Sequence, residues 1–322
     1  MAVKIDTFLD IEPIELEKAG LKKDSLKGEV AVVTGSTENV GLGFARAIAA
    51  AGANVVVSGR NEKTGAEIER VINAENSPGS AIFVKCDVTK EDDIANLAKR
   101  AFDTFGKVDI LINNAMNLSL NGPVLKSPIS DLEQSFAISG RGVMLTAQAF
   151  VPAMLERKHG VVTYSTTQFH YSPPMFGGAM YTAGKSAATS LMMSLANEVG
   201  PYKENGVGVF CMIPAGVMRP GKSRPVVSPT GSDKPLSDAP RAGGGMSGFG
   251  GSIPPEACGE AMVYCILNAG KLHCSGINVA DAFNAMNYPY PKPETVVRRN
   301  MRRLTDNELT LVFCCMGPGF SE

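Results

Sequence analysis

The sequence has no excess of charge of either sign: Lys and Arg number 31 against 32 Asp and Glu, for a net charge of -1. Without a basic field, nothing in the overall charge draws the chain to nucleic acid or to an anionic membrane surface. Long apolar runs are missing too, and none approaches the roughly 20 residues of a membrane helix. The opening MAVKIDTFLDIEPIELEKAG mixes acids into each apolar stretch and so lacks the apolar core of a secretory signal. Seven cysteines (Cys86, Cys211, Cys258, Cys265, Cys274, Cys314 and Cys315) show no C-x-x-C or other metal-ligand spacing, so no metal is expected. They read as reduced core residues, and a cytoplasmic compartment follows. No internal repeat and no second domain is evident.

What remains is material for one large core. Hydrophobic residues are 44% and charged residues 20% of the 322, which excludes a largely disordered or collagen-like chain. Strand-length apolar runs alternate with amphipathic helical stretches: Val30 to Val33, Asn54 to Val57, Ala81 to Val84, Val108 to Ile112, Val161 to Tyr164, Val207 to Ile213 and Ile277 to Val279. That alternation implies parallel strands with helical crossovers, and the non-alternating Val/Ile content implies strands covered on both faces. The expected fold is α/β, a Rossmann-type doubly wound parallel sheet of about seven strands, in a single domain over residues 28–282. Residues 1–27 read as a charged lead-in of helix plus linker. Residues 218–253, rich in Gly, Pro and Ser, read as a lid over a substrate site. Residues 283–322 form a carboxy-terminal extension.

The first strand runs into Thr34-Gly-Ser-Thr-Glu-Asn-Val-Gly-Leu-Gly43 and then a helix, a place where glycines let backbone N–H groups approach a pyrophosphate. The second strand ends in Gly59 and Arg60, a cation where an adenosine 2′-phosphate would need one and no acid to repel it. Tyr181 and Lys185 open a helix over residues 181–200, and four-residue spacing puts both on one face. An ammonium beside a phenol favours the phenolate and so makes an acid/base device.

Taken together with Asp87-Val88 after the third strand, Asn113-Asn-Ala115 after the fourth and Pro214-Ala-Gly-Val217 after the sixth, these motifs resemble the short-chain dehydrogenase/reductase family, in order and in approximate spacing, over residues 27–282. The resemblance assigns Gly35, Ser36, Gly41 and Leu42 to the pyrophosphate turn of NADP(H) and Arg60 to its 2′-phosphate. It places Asp87 and Val88 beside the adenine, Asn114 and Ala115 along the ribose, and Pro214 and Val217 at the carboxamide. Tyr181 would be the proton donor to a carbonyl oxygen, with Lys185 on the nicotinamide ribose and lowering the tyrosine pKa. The family's serine aligns with Thr166, with Ser165 and Thr167 as alternatives, and its helix asparagine with Ser139.

Several features depart from the family pattern. The interval from Gly35 to Gly41 is longer than usual and resembles the divergent enoyl-ACP reductase branch, although the Tyr181/Lys185 spacing does not. Met116 replaces a glycine near the expected ribose. His170 and Tyr171 could touch substrate. The basic residues Arg219, Lys222, Arg224, Lys234 and Arg241 of the lid would favour an anionic one. The expected activity is NADP(H)-dependent interconversion of a ketone or aldehyde and an alcohol, with enoyl reduction or a catalytically weak nucleotide-binding subunit as alternatives. Leu309, Leu311, Val312, Phe313 and Cys314-Cys-Met316 are too apolar to remain in water, so they fold back over their own subunit or cover a neighbour; the resemblance, to a family in which dimers and tetramers are common, implies a homodimer or homotetramer whose interface includes them. The cluster Arg298 to Arg303 offers a further oligomer contact.

Overall fold

The computed structural model describes residues 13–75, 77–117, 120, 123–168, 178–214 and 253–288. Its strands are β1 (Val30–Val33), β2 (Asn54–Gly59), β3 (Ala81–Lys85), β4 (Ile110–Asn113), β5 (Gly160–Ser165), β6 (Val207–Ile213) and β7 (Ser275–Asn278). Between them run α1 (Asn39–Ala50), α2 (Glu62–Ala74), α3 (Glu91–Phe105), α4 (Ile129–Phe136), a π-helical turn (Ala137–Arg141), α5 (Gly142–Arg157), α6 (Ala179–Val199), α7 (Tyr202–Asn205), α8 (Pro255–Leu267) and α9 (Ala269–Leu272). A final helix, α10 (Val279–Met286), follows β7. All pairings are parallel, in the order β3-β2-β1-β4-β5-β6-β7. The order reverses between β1 and β4, and a crevice opens there at the carboxyl ends of the strands.

The strands read as continuous apolar runs because both faces are covered. Ala31, Val33, Val55 and Val57 belong to the core on one face, where α1, α8 and α10 pack. Their neighbours Val30, Val32 and Val56 belong to the core on the other, with α3, α5 and α6. The small residues of α1 serve a helix far along the chain: a Cβ at Gly43 would stand 1.9 Å from the Pro255 carbonyl oxygen, so only glycine lets α8 cross there. Arg46 of α1 is buried and held at 2.6 Å by both Glu75 and Glu256, tying α1 to α2 and α8.

Some expectations about the flanks change. In residues 13–27 the lead-in is a series of turns, not a helix, with Leu16, Leu21 and Leu26 buried and the Leu26 N–H donating to the Ala51 carbonyl at 2.7 Å. The last strand stops at Asn278, because the Asn278 side chain accepts from the Ala280 N–H at 2.9 Å and caps α10. Cys86, Cys211, Cys258 and Cys265 are buried free thiols as expected, whereas Cys274 is exposed. Ile253, the end of the expected lid, is fully buried; the rest of that segment and the carboxy-terminal apolar run lie outside the described residues. No helix among the described residues is long and apolar enough to cross a membrane.

Candidate active site

A cleft of about 580 Å³ lies at the carboxyl ends of β1, β2, β4, β5 and β6. Its floor at the strand reversal is built by glycines and a hydroxyl. Gly35 has φ +62°, and a Cβ there would meet Ala115 Cα at 2.7 Å. A Cβ on Gly41 would stand 2.3 Å from the Gly35 carbonyl oxygen and 2.5 Å from Asn114 Nδ2. The turn therefore closes only without side chains at both positions. Asn114 Nδ2 donates to the carbonyls of Thr34 (3.2 Å) and Gly35 (3.0 Å), and Thr34 Oγ1 accepts from the N–H groups of Asn114 (2.9 Å) and Ala115 (3.1 Å).

Two residues assigned to the turn do other work. Ser36 is fully buried and donates to the Val33 carbonyl at 2.6 Å while accepting from the Ser58 N–H at 3.0 Å, so it clasps β1 to β2 and does not face the cleft. Leu42 is fully buried in the core beneath α1. The cleft is lined instead by Thr37, Glu38, Asn39 and Val40, which sequence reasoning passed over because the family motif is marked by its glycines. Arg60 lines the cleft at the end of β2 with Asn61 and Thr64, neither anticipated from the sequence. Asn61 caps α2 by accepting from the Thr64 N–H at 3.1 Å. Asp87, Val88, Asn114, Ala115, Met116 and Pro214 line it as expected, and Cys86 joins them. Asp87 Oδ1 is occupied by the Thr89 hydroxyl at 2.8 Å.

At the other end of the cleft stand Tyr181 and Lys185, at the start of α6. Gly184 allows α4 to lie against that turn: a Cβ there would meet Ser135 Oγ at 2.2 Å, and Ser135 donates to the Met180 carbonyl at 2.7 Å. The Lys185 ammonium donates to the Ser165 carbonyl and lies 4.7 Å from the centre of the Tyr164 ring and 5.8 Å from that of Tyr181. Burial governs both titrations. It pushes the Tyr181 phenol up to about 12, partly offset by a hydrogen bond with the Thr167 side chain. It pushes the Lys185 amine down to about 7. The expected lowering of the tyrosine is thus reversed here, because burial of the phenolate is the largest effect.

Of the three candidate hydroxyls, Thr167 is the one bonded to Tyr181. Thr166 shares a 2.5 Å hydrogen bond with Thr189 of α6, and Ser165 supplies its carbonyl to Lys185. Ser139 is fully buried in the π-helical turn, donates to Met116 Sδ at 3.2 Å and does not line the cleft. Val217, His170 and Tyr171 lie outside the described residues.

Among the described residues, Glu29, Asp109 and His159 bring possible metal-ligand atoms together. Asp109 is already paired with Arg157 (2.7 Å) and Lys107 (2.8 Å), so its charge is spent.

A family model described as short chain dehydrogenase matches residues 29–224. Tropinone reductase-like 1 of Erythroxylum coca is 30% identical over 196 residues, 60% of this chain and 69% of that protein. The 3beta-hydroxysteroid dehydrogenase 1 of Eggerthella lenta is 32% identical over 197 residues, 61% and 74% of the two chains. Among solved structures, a metagenomic short-chain oxidoreductase in complex with NADP is 26% identical with a TM-score of 0.61, covering 79% of this chain and 98% of that one. A short chain dehydrogenase from Burkholderia cenocepacia in complex with NADP shares the fold at 21% identity and a TM-score of 0.65, covering 79% and 97%. With the parallel sheet, the glycine turn and the Tyr181/Lys185 pair in one cleft, these matches establish that the chain belongs to the short-chain dehydrogenase/reductase family of oxidoreductases.

Proposed function

We propose that the chain is an NADP(H)-dependent oxidoreductase interconverting a ketone or aldehyde with an alcohol, with Tyr181 as the acid/base. The observation that carries this reading is that Tyr181 and Lys185 line the same cleft as Arg60, with the glycine cradle between them. The fit to a dinucleotide is physical: the bare turn of Gly35 and Gly41 lines the cleft, where glycines let backbone N–H groups approach a pyrophosphate. Arg60 stands where the 2′-phosphate would lie, and Gly59 puts no acid beside it. The metagenomic short-chain oxidoreductase, 26% identical to this chain, was solved in complex with NADP.

The bound nicotinamide supplies the hydride, and the protein supplies position and a proton. Asn114, Ala115 and Lys185 would hold the ribose side of the cofactor, Asp87 and Val88 the adenine side, and Pro214 and Val217 the carboxamide. In the reducing direction Tyr181 is a neutral phenol at pH 7 and gives its O–H proton to the substrate oxygen as that oxygen gains the electron pair of the C=O bond. The phenolate left behind is stabilised by the Lys185 ammonium and by donation from Thr167, for which we assign the hydroxyl role, with Thr166 as the next candidate. An anionic carbonyl substrate fits the basic lid sequence. A second copy is a fitting partner: Leu125, Ile129, Phe136 and Met144 are exposed on and just before the rod of α4, π turn and α5.

The test is a screen of ketones and aldehydes with NADPH, repeated with Tyr181→Phe. Reduction that requires Tyr181 supports the assignment; reduction undiminished in the variant overturns the proton-donor role. Light scattering reads the mass of the assembly, and a monomer at working concentration would remove the oligomer.

A further inference from the structure

The Lys185 ammonium is buried, with 3% of the residue exposed, and has no carboxylate partner among the described residues. An unpaired ammonium in that position loses its proton unless something replaces water. Four groups face it. The Ser165 carbonyl on β5 takes one N–H, the Tyr164 ring on β5 presents its face at 4.7 Å, the Tyr181 ring on α6 is more distant at 5.8 Å, and the Cys211 thiol on β6, pushed up to about 12 by burial, stays neutral and gives no charge partner. A desolvated aromatic face attracts a cation through its ring quadrupole, and the nearer ring does so more strongly.

Tyr164 is built to stay where it is. It is 1% exposed and paired in register with Asn113 on β4 and Cys211 on β6, so its ring cannot move without the sheet. It is no rival acid, since burial pushes its phenol above the ordinary tyrosine range and keeps it neutral. Its hydroxyl faces Ser139 and does not line the cleft; with Asn113 it lines a separate small space. What Tyr164 offers Lys185 is therefore the ring and not the oxygen.

We propose that Tyr164 is a positioning residue for the acid/base pair, its ring face holding the Lys185 ammonium beside Tyr181 and sustaining its charge. The proposal rests on the assignment of Tyr181 and Lys185 above, yet its direct readout needs no turnover. In full-length protein labelled with ¹⁵N-lysine, the Lys185 side chain is titrated by NMR in wild type, Tyr164→Phe and Tyr164→Leu, with Tyr164→Met in place of leucine if the latter does not fold. The phenylalanine variant keeps the ring and should keep the wild-type midpoint. The leucine or methionine variant should lower it by roughly one pH unit, because a cation–π attraction is lost. A merely structural role predicts the opposite sign, since a gap that admits water raises the midpoint. A midpoint that rises or stays in the leucine variant, or that moves equally in the phenylalanine variant, overturns the proposal. In the carbonyl-reduction assay the limb of the kcat/KM profile that reports Lys185 should move by the same amount in the leucine variant and stay in the phenylalanine one. If wild type reduces no carbonyl, the functional assignment fails while the titration still decides the role of Tyr164.

Discussion

The two ends of the sheet solve the same problem in opposite ways. At the amino ends, charge meets charge: buried Asp109 accepts from the Val30 N–H at 3.0 Å, from Arg157 at 2.7 Å and from Lys107 at 2.8 Å, and His159 meets Glu29 at 2.9 Å. At the carboxyl ends, the turns are closed by hydroxyls, amides and glycines, and the cations Arg60 and Lys185 have no carboxylate partner among the described residues. One end is complete within the protein. The other keeps its cations and backbone donors available to something else, which is what a binding site for an anionic cofactor requires. Substitutions should therefore divide: those at the amino ends cost stability and spare chemistry, and those at the carboxyl ends do the reverse.

The largest expected effect is Tyr181→Phe, which removes the proton donor and little contact area. Carbonyl reduction should fall by about 10³-fold, on the order of 4 kcal/mol in kcat/KM. NADPH affinity by calorimetry and the melting temperature should barely move. A variant that melts early instead would blur the division at its clearest point.

Asp109→Ala is the counterpart at the other end. It strands the Val30 N–H and removes the shared partner of Arg157 and Lys107, for a loss of about 3 kcal/mol of unfolding free energy by denaturant titration. Arg157 and Lys107 are partly exposed and can regain water, which keeps the loss at the lower end for a broken buried pair. Turnover below the melting transition should match wild type. Next in size is Arg60→Ala, which should weaken NADPH binding by about 1.5 to 3 kcal/mol and leave NADH unaffected. Equal binding of NADH and NADPH by wild type would cancel the role given to Arg60.

Much of this division was legible in the sequence, and the reasons for the rest are specific. The strands were readable because Val/Ile runs buried on both faces carry their own signal, and Tyr181 and Lys185 because four-residue spacing fixes a shared helix face. Ser36 and Leu42 were misassigned because motif position does not say which way a side chain turns; the pairing of β1 with β2 points the Ser36 hydroxyl at Val33. Gly43 looked like part of a phosphate turn, but its partner is Pro255, brought against α1 only by the complete fold. The choice among Ser165, Thr166 and Thr167 depends on where β5 ends relative to α6, which local sequence does not encode. The direction of the Tyr181 shift was missed for the same reason: burial is a property of the whole molecule.

The smallest effect is a pH dependence, and it reads the unmatched cation directly. Lys185 has a folded pKa of about 7, below its unfolded value. Between those values the unfolded chain holds a proton that the folded chain has released, so stability rises with pH through this window. From about pH 8 the buried thiols oppose this gain. The buried thiols of Cys86, Cys211 and Cys265, pushed up to about 12, ionise only after unfolding, as does Tyr181 at higher pH. The Lys185 contribution amounts to about 2 kcal/mol between pH 7 and pH 9, offset in wild type by the thiols, so in denaturant titrations it is read as a difference against a variant that keeps the thiols. Lys185→Met removes the titrating group while roughly keeping its volume, so the variant should be at least as stable as wild type at pH 7 and its advantage should shrink by about 2 kcal/mol by pH 9. Asp109→Ala should keep the wild-type slope, because it leaves Lys185 and the buried thiols in place. A stability difference between wild type and Lys185→Met that does not change from pH 7 to 9 would show that the lysine is charged and satisfied in the folded state. The carboxyl end would then be as fully paired as the amino end, and the contrast between them would fail.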